Sequence, residues 1–274
     1  MTLDELDHLM DDPRFVSGIH NYCDRWCERC PFTNRCLNFA MEKERMKRRG
    51  RTESHSDIEN ADFWDELHET FETTAMLLRQ MAEEMGIDLE NVDVSEEMEI
   101  HYQRAEEAEH HDLAERSMAY IKLVDQWFKE AEPLFKERGE QLESMVRMNI
   151  AGVDVEESVI DLSDAVEVIR WYYYFIHVKL QRSVHSKLDE EAETDEEMRA
   201  FPKDSEGTAK IALIAMDRSI GAWGRLLKAF PTCETQTLEL LVHLDRLRRA
   251  TEQEFPNARK FVRPGLDTIS LLED

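Results

Sequence analysis

Four cysteines fall within fourteen residues, spaced Cys23-x3-Cys27-x2-Cys30-x5-Cys36. Thiolates are the soft ligands preferred by iron–sulfur clusters, zinc and cuprous ions. If the first part of this run is helical, Cys23, Cys27 and Cys30 fall at i, i+4 and i+7 and share a face. Pro31 then turns the chain, and the five residues before Cys36 suffice to return a fourth sulfur. Structural zinc sites more often use separated Cys-x2-Cys pairs, so a single asymmetric run favours an iron–sulfur cubane. Zinc is the alternative cofactor. The competing readings are reduced thiols packed as small hydrophobes beside Val16 and Trp26, and, least in keeping with a reducing compartment, disulfides. His20, three residues before Cys23, is a substitute ligand, although a capping or surface role is simpler. Cys233 stands alone at the start of the last helix and reads as a packed corner residue.

The stretch Cys27-Glu28-Arg29-Cys30-Pro31-Phe32-Thr33-Asn34-Arg35-Cys36 resembles the Cys-x2-Cys-Pro-Phe-x3-Cys loops that hold [4Fe-4S] clusters. Such loops occur in iron–sulfur nucleases of the RecB family and in the SPASM domains attached to radical enzymes. The resemblance covers these ten residues and implies a ligand role for Cys27, Cys30 and Cys36. Neither family's fold is implied, because both need strands that this sequence lacks. The Cys-x3-Cys-x2-Cys portion also matches radical S-adenosylmethionine enzymes. Those place an aromatic residue before the third cysteine, where this chain has Arg29, and they build on a strand–helix barrel. A motif without its structural context is set aside.

A centre held by four thiolates is anionic, and Arg25, Arg29 and Arg35 would offset its charge. Between Pro13 and Arg51 there are ten Lys or Arg against four Asp or Glu. The net charge of −26 therefore leaves −32 on the remainder. The basic run Lys47-Arg48-Arg49-Gly50-Arg51 reads more plainly as a solvated linker. So acidic a body repels nucleic acid and anionic membrane, which leaves a protein or redox partner. No stretch approaches the roughly 18 to 20 unbroken apolar residues of a membrane span. Met1 to Asp12 is acidic and unlike a secretory signal, so a cytoplasmic location is expected.

The helical body offers a candidate second metal site. Carboxylate-bridged di-iron proteins place Glu-x-x-His motifs inside bundles, because the i, i+3 spacing aims both ligands at one point. Glu107-Ala108-Glu109-His110 matches, and the apolar stripe through Leu113 extends back to His110 and Glu106. Candidate partners are His68 and Glu72, with His177, and Glu239 with His243, as further options. Asp65-x-x-His68 is only a loose second motif, and with 60 acidic residues and 10 histidines the plainer reading is a solvated face.

The elements that must position these residues read as helices. Phe63, Leu67, Phe71, Leu78, Ala82 and Met85 recur at helical spacing until Gly86. A helix from Ser95 to near Lys129 carries Leu113, Tyr120, Val124 and Trp127, and Pro133 begins a shorter one to about Met148. The run 156–188 is apolar nearly all round at Trp171 to Ile176, as expected of a buried helix. Asp189 to Glu197 reads as a solvated loop. Asp204 or Ser205 caps a helix to Phe230 with Ala209, Ala212, Met216, Ile220 and Trp223 inward. The last helix ends near Pro256 with Leu240, Leu244, Leu247 and Phe255 as its core face. The segment from Phe255 to Asp267 reads as a tail packed across the bundle, with an interaction peptide as the alternative.

These readings predict an all-α protein: a cysteine-rich metal-binding module with a basic linker over 1–51, then an acidic bundle of five or six helices over 52–274. No phosphate-cradling glycine loop is present, and no serine or cysteine nucleophile has an identifiable base. The expected function is that of a metalloprotein with a redox or electron-transfer role and, if an enzyme, an iron-dependent oxidoreductase. The alternative is a non-catalytic binding or regulatory helical protein with a structural zinc or cluster site.

Overall fold

Apolar residues repeating every three or four positions fold as helices because only that conformation gathers them on one buried face. The computed structural model describes residues 11–48, 61–89, 95–148 and 155–267, and every regular element among them is helical. The α-helices are α1 (Leu37–Arg48), α2 (Ala61–Met85), α3 (Ser95–Glu109), α4 (Asp112–Met148), α5 (Val155–Ala192), α6 (Glu196–Arg199), α7 (Asp204–Ala229) and α8 (Glu234–Glu254). No described helix is long and apolar enough to cross a membrane. The far end of the basic linker and the expected break at 151–153 lie outside the described residues.

The chain forms two compact units. The first comprises Met1–Ser17 and Cys27–Gln103, the second Gly18–Trp26 and Arg104–Asp274. The first holds α1, α2 and two short 3-10 turns, Cys27–Arg29 and Thr33–Arg35. Gly86 stops α2 as expected: at φ 69° it adopts the left-handed cap geometry, and the Ile87 N–H reaches back to the Ala82 carbonyl at 2.8 Å. At its described positions the expected core face of α2 is mostly not buried, however. Ala82 is, whereas Phe71, Leu78 and Met85 are each more than half exposed. The periodicity anticipated the helix but not its burial.

The second unit is a four-helix bundle in which α4 packs on α5 and α8, and α7 on α5 and α8, closing the ring. Neighbours run antiparallel. Ser117 and Arg116 near the start of α4 meet His177 on α5 and His243 on α8, and Arg225 near the end of α7 meets Asp161 and Asp164 on α5. Trp127 and Trp223 cross edge to face at 4.9 Å in the core. Each buried indole N–H has an acceptor: Trp127 donates to Thr237 and Trp223 to the Tyr120 hydroxyl, both at 2.9 Å. The anticipated inward positions on α7 and α8 are buried, save Ile220, which is half-buried.

Three boundaries differ from those expected. The helix anticipated from Ser95 to Lys129 breaks at His110 and His111. There the His111 Nδ1 accepts the Leu113 N–H at 3.2 Å and so caps α4. Pro133 lies inside α4 instead of opening a new helix. One missing N–H is outweighed by core residues on both sides of it, Trp127 and Ala131 before and Leu142 after. The acidic stretch is also partly helical: α5 continues to Ala192, and Asp195 caps α6 by accepting the Glu197 N–H at 2.8 Å.

Candidate metal centre

The segment Gly18–Trp26 is a strap seated on the second unit. Tyr22 donates to the Asp204 carboxylate at 3.0 Å, and its ring meets Phe261 edge to face at 4.8 Å. Burial first, then Asp204, pushes the Tyr22 hydroxyl up to about 12. Both rings lie across the first turn of α7 at Gly207, where a Cβ would stand 2.5 Å from Tyr22 Cε1 and 2.7 Å from Phe261 Cζ. Only glycine admits that approach.

Asp24 is the strap's central anchor. Its carboxylate accepts the Tyr172 hydroxyl at 2.7 Å, the Arg218 guanidinium and the Trp26 N–H at 3.2 Å, and its carbonyl accepts the Trp171 indole N–H at 3.0 Å. Burial, then Asp24, raises the pKa of the Tyr172 hydroxyl. Trp26 stacks on Trp171 at 4.9 Å and meets Tyr172 edge to face at 5.8 Å. Between these anchors Arg25 is turned to φ 58°, a conformation costing a non-glycine residue roughly 1 kcal/mol. A left-handed residue at this point rules out one continuous helix through the cysteines. The i, i+4, i+7 face is therefore replaced by a bend at Cys23, irregular chain from Asp24 to Trp26 that turns left-handed at Arg25, and a 3-10 turn at Cys27–Arg29.

All five cysteines are thiols, not disulfides. Cys23 belongs to the second unit, where its Sγ–H donates to the His20 carbonyl at 3.4 Å. His20 is half-buried, and burial, then Arg25, lowers its pKa. Burial likewise lowers the pKa of the Lys179 ammonium; Arg182 and Arg25 act in the same direction, while Cys23 and Asp204 oppose them. Lys179 therefore stands near Cys23 and adds a cation there to the anticipated Arg25.

Cys27, Cys30 and Cys36 belong to the first unit, the chain passing between units at the Trp26–Cys27 peptide bond. All three are partly exposed and sit at turn boundaries. Cys27 opens the first 3-10 turn, and Cys30 ends it with its N–H on the Cys27 carbonyl at 3.2 Å. Cys36 follows the second turn, its N–H on the Thr33 carbonyl at 3.3 Å, and its own carbonyl accepts the Ala40 N–H in α1. The Val16 N–H donates to the Arg35 carbonyl at 3.0 Å, closing a loop that contains three of the cysteines and ends beside the fourth. Among the described residues, no three His, Cys, Asp or Glu side chains converge on one point as a finished metal site.

The residues considered for a bundle site are placed differently. Glu106, Glu107 and His110 are exposed rather than inward-facing. His68 and Glu72 are exposed and pair with each other at 3.2 Å along α2. Asp65's side chain lies outside the described residues. His177 is buried and bonded to Ser117 at 2.8 Å, and burial lowers its pKa. His243 bonds the Arg116 carbonyl at 2.8 Å, while Glu239 is exposed. No Asp or Glu among the described residues is buried. Cys233 is the packed corner residue anticipated: it is buried, and its carbonyl accepts the Thr237 hydroxyl at 2.8 Å.

Sequence reasoning missed the strap. Its one local trace is the alternation Tyr22-Cys23-Asp24-Arg25-Trp26-Cys27, which sets large anchoring side chains between the thiols. Its partners Trp171, Asp204 and Arg218 lie too far along the chain for any spacing rule to connect them. Neither a protein-family model, nor a curated protein, nor a solved structure was found to match this chain.

Proposed function

We propose that Cys23, Cys27, Cys30 and Cys36 bind one metal centre, a [4Fe-4S] cluster in preference to zinc, and that the protein uses it in a redox or electron-transfer role. The observation that carries this reading is the Val16–Arg35 closure around partly exposed thiols placed at successive turn boundaries. Thiolates at turns, with Arg25 and Lys179 near the first, supply the donor chemistry and countercharge that an anionic cluster needs. Such a cluster would supply one-electron chemistry. Trp26, the residue before Cys27, stacks on Trp171, which reaches the surface and offers an aromatic contact for a redox partner. The exposed Glu107 and His110 support a second site less well, so the proposal stops at the cysteines.

The second reading is a structural zinc site in a non-catalytic binding or regulatory protein. It is favoured by the Asp24 anchor, which holds the segment before Cys27 in place as a structural role requires. The test is electron paramagnetic resonance on anaerobically purified protein before and after dithionite. A reducible cluster signal, lost in Cys27→Ser and Cys30→Ser, is expected. A silent, colourless protein holding one zinc per chain would transfer the case to the second reading. A metal-free protein with every thiol titratable would overturn both.

A further inference from the structure

Between the second half of α4 and the first half of α5 lies a groove of about 750 Å³, within the size range of small-molecule sites. Its floor is apolar: Phe128, Phe135, Leu142, Leu162 and Val166. Its other lining reverses the charge of the molecule. In a chain of net charge −26, Lys129, Arg138 and Arg170 line this groove against the single carboxylate of Glu132. Among the described residues none of these three cations makes an ion pair. The Arg170 guanidinium lies 5.0 Å over the Phe128 ring, and the Arg138 Nε–H is buried without an acceptor. A buried donor lacking a partner costs on the order of 1–3 kcal/mol, and an anionic acceptor in the groove would relieve it.

The geometry points to a binding site for an amphipathic monocarboxylate, an apolar body the size of a medium-chain fatty acid whose carboxylate pairs with Arg138 and Arg170. The apolar floor takes the body, and the guanidiniums, which match a carboxylate two bonds at a time, take the head. An apolar amine would meet three like charges, and a neutral alcohol would leave Arg138 with a weaker partner. This inference stands apart from the cysteine site and needs no metal.

Isothermal titration of the full purified chain with dodecanoate, dodecanol and dodecylammonium, each below its micelle concentration, tests it. Dodecanoate is expected to bind one per chain with a Kd on the order of micromolar, about tenfold or more tighter than either analogue. Arg138→Gln and Arg170→Gln should each weaken dodecanoate about tenfold and dodecanol far less. Both arginines are at the groove and outside the buried core, so these variants keep the fold, to be verified by circular dichroism. Leu162→Trp, which fills the groove, should abolish both. Absence of dodecanoate binding, equal binding of the three probes, or indifference to both arginine variants would overturn the assignment.

Discussion

Asp24 binds Tyr172, Arg218 and the Trp26 amide with one carboxylate, and Trp171 through its carbonyl. Removing that carboxylate takes the acceptor from the Tyr172 O–H and leaves the Arg218 guanidinium with the Tyr172 oxygen alone of these partners. Asp24→Ala should therefore cost about 2 kcal/mol in urea unfolding, and Asp24→Asn, which keeps neutral acceptors, about half as much. His177 provides a second test at this scale. Burial holds it neutral against Ser117, with the Ala114 carbonyl and Glu109 opposing that shift. As pH falls below the ordinary 6.5, the unfolded chain takes a proton that the folded imidazole resists. Stability is then lost by up to about 1.4 kcal/mol per pH unit until the lowered folded value is passed. Urea midpoints measured from roughly pH 7.5 to 5.5 should fall more steeply for the natural chain than for His177→Gln. Parallel slopes would show that the imidazole is not held neutral.

Among the elements, the strap and α7 depend on each other through Gly207. Helix propensity alone predicts that Gly207→Ala gains about 1 kcal/mol. The clash with the Tyr22 and Phe261 rings, at 2.5 and 2.7 Å, reverses the sign and should cost about 1–3 kcal/mol. The thermal midpoint of Gly207→Ala decides between them, and a stabilised variant would mean that the rings do not lie across α7. Helix content is the part of this protein most legible in its sequence. The stripes through Leu113, Tyr120, Val124 and Trp127, and through Leu240, Leu244 and Leu247, are all buried as their spacing implies. Boundaries were less legible where local and tertiary effects compete. Pro133 is a helix breaker by local rules, but the core residues on either side hold α4 through it. The His110-His111 break arises from a side chain capping a backbone N–H, which hydrophobic periodicity does not encode.

At the scale of the whole chain, an acidic four-helix bundle and a short basic segment share four thiols close in sequence, Cys23 in the second unit and Cys27, Cys30 and Cys36 in the first. That these thiols lie within fourteen residues is a property of the sequence itself. Their distribution between the units was not legible there, because it depends on Asp24 meeting Arg218 and on Trp26 meeting Trp171 across well over a hundred residues of chain. The i, i+4, i+7 face failed for the same reason: tertiary anchors on either side of Arg25 force a left-handed turn that no helix tolerates. A metal centre held by the four cysteines, as proposed, would show in composition as well as in geometry. Its most direct test is the content of iron, acid-labile sulfide and zinc per chain in anaerobically purified protein. Iron and sulfide are expected in equal amounts, both lost when Cys27 and Cys30 are replaced by serine. Protein free of all three, with each cysteine titrating as a thiol, would contradict it.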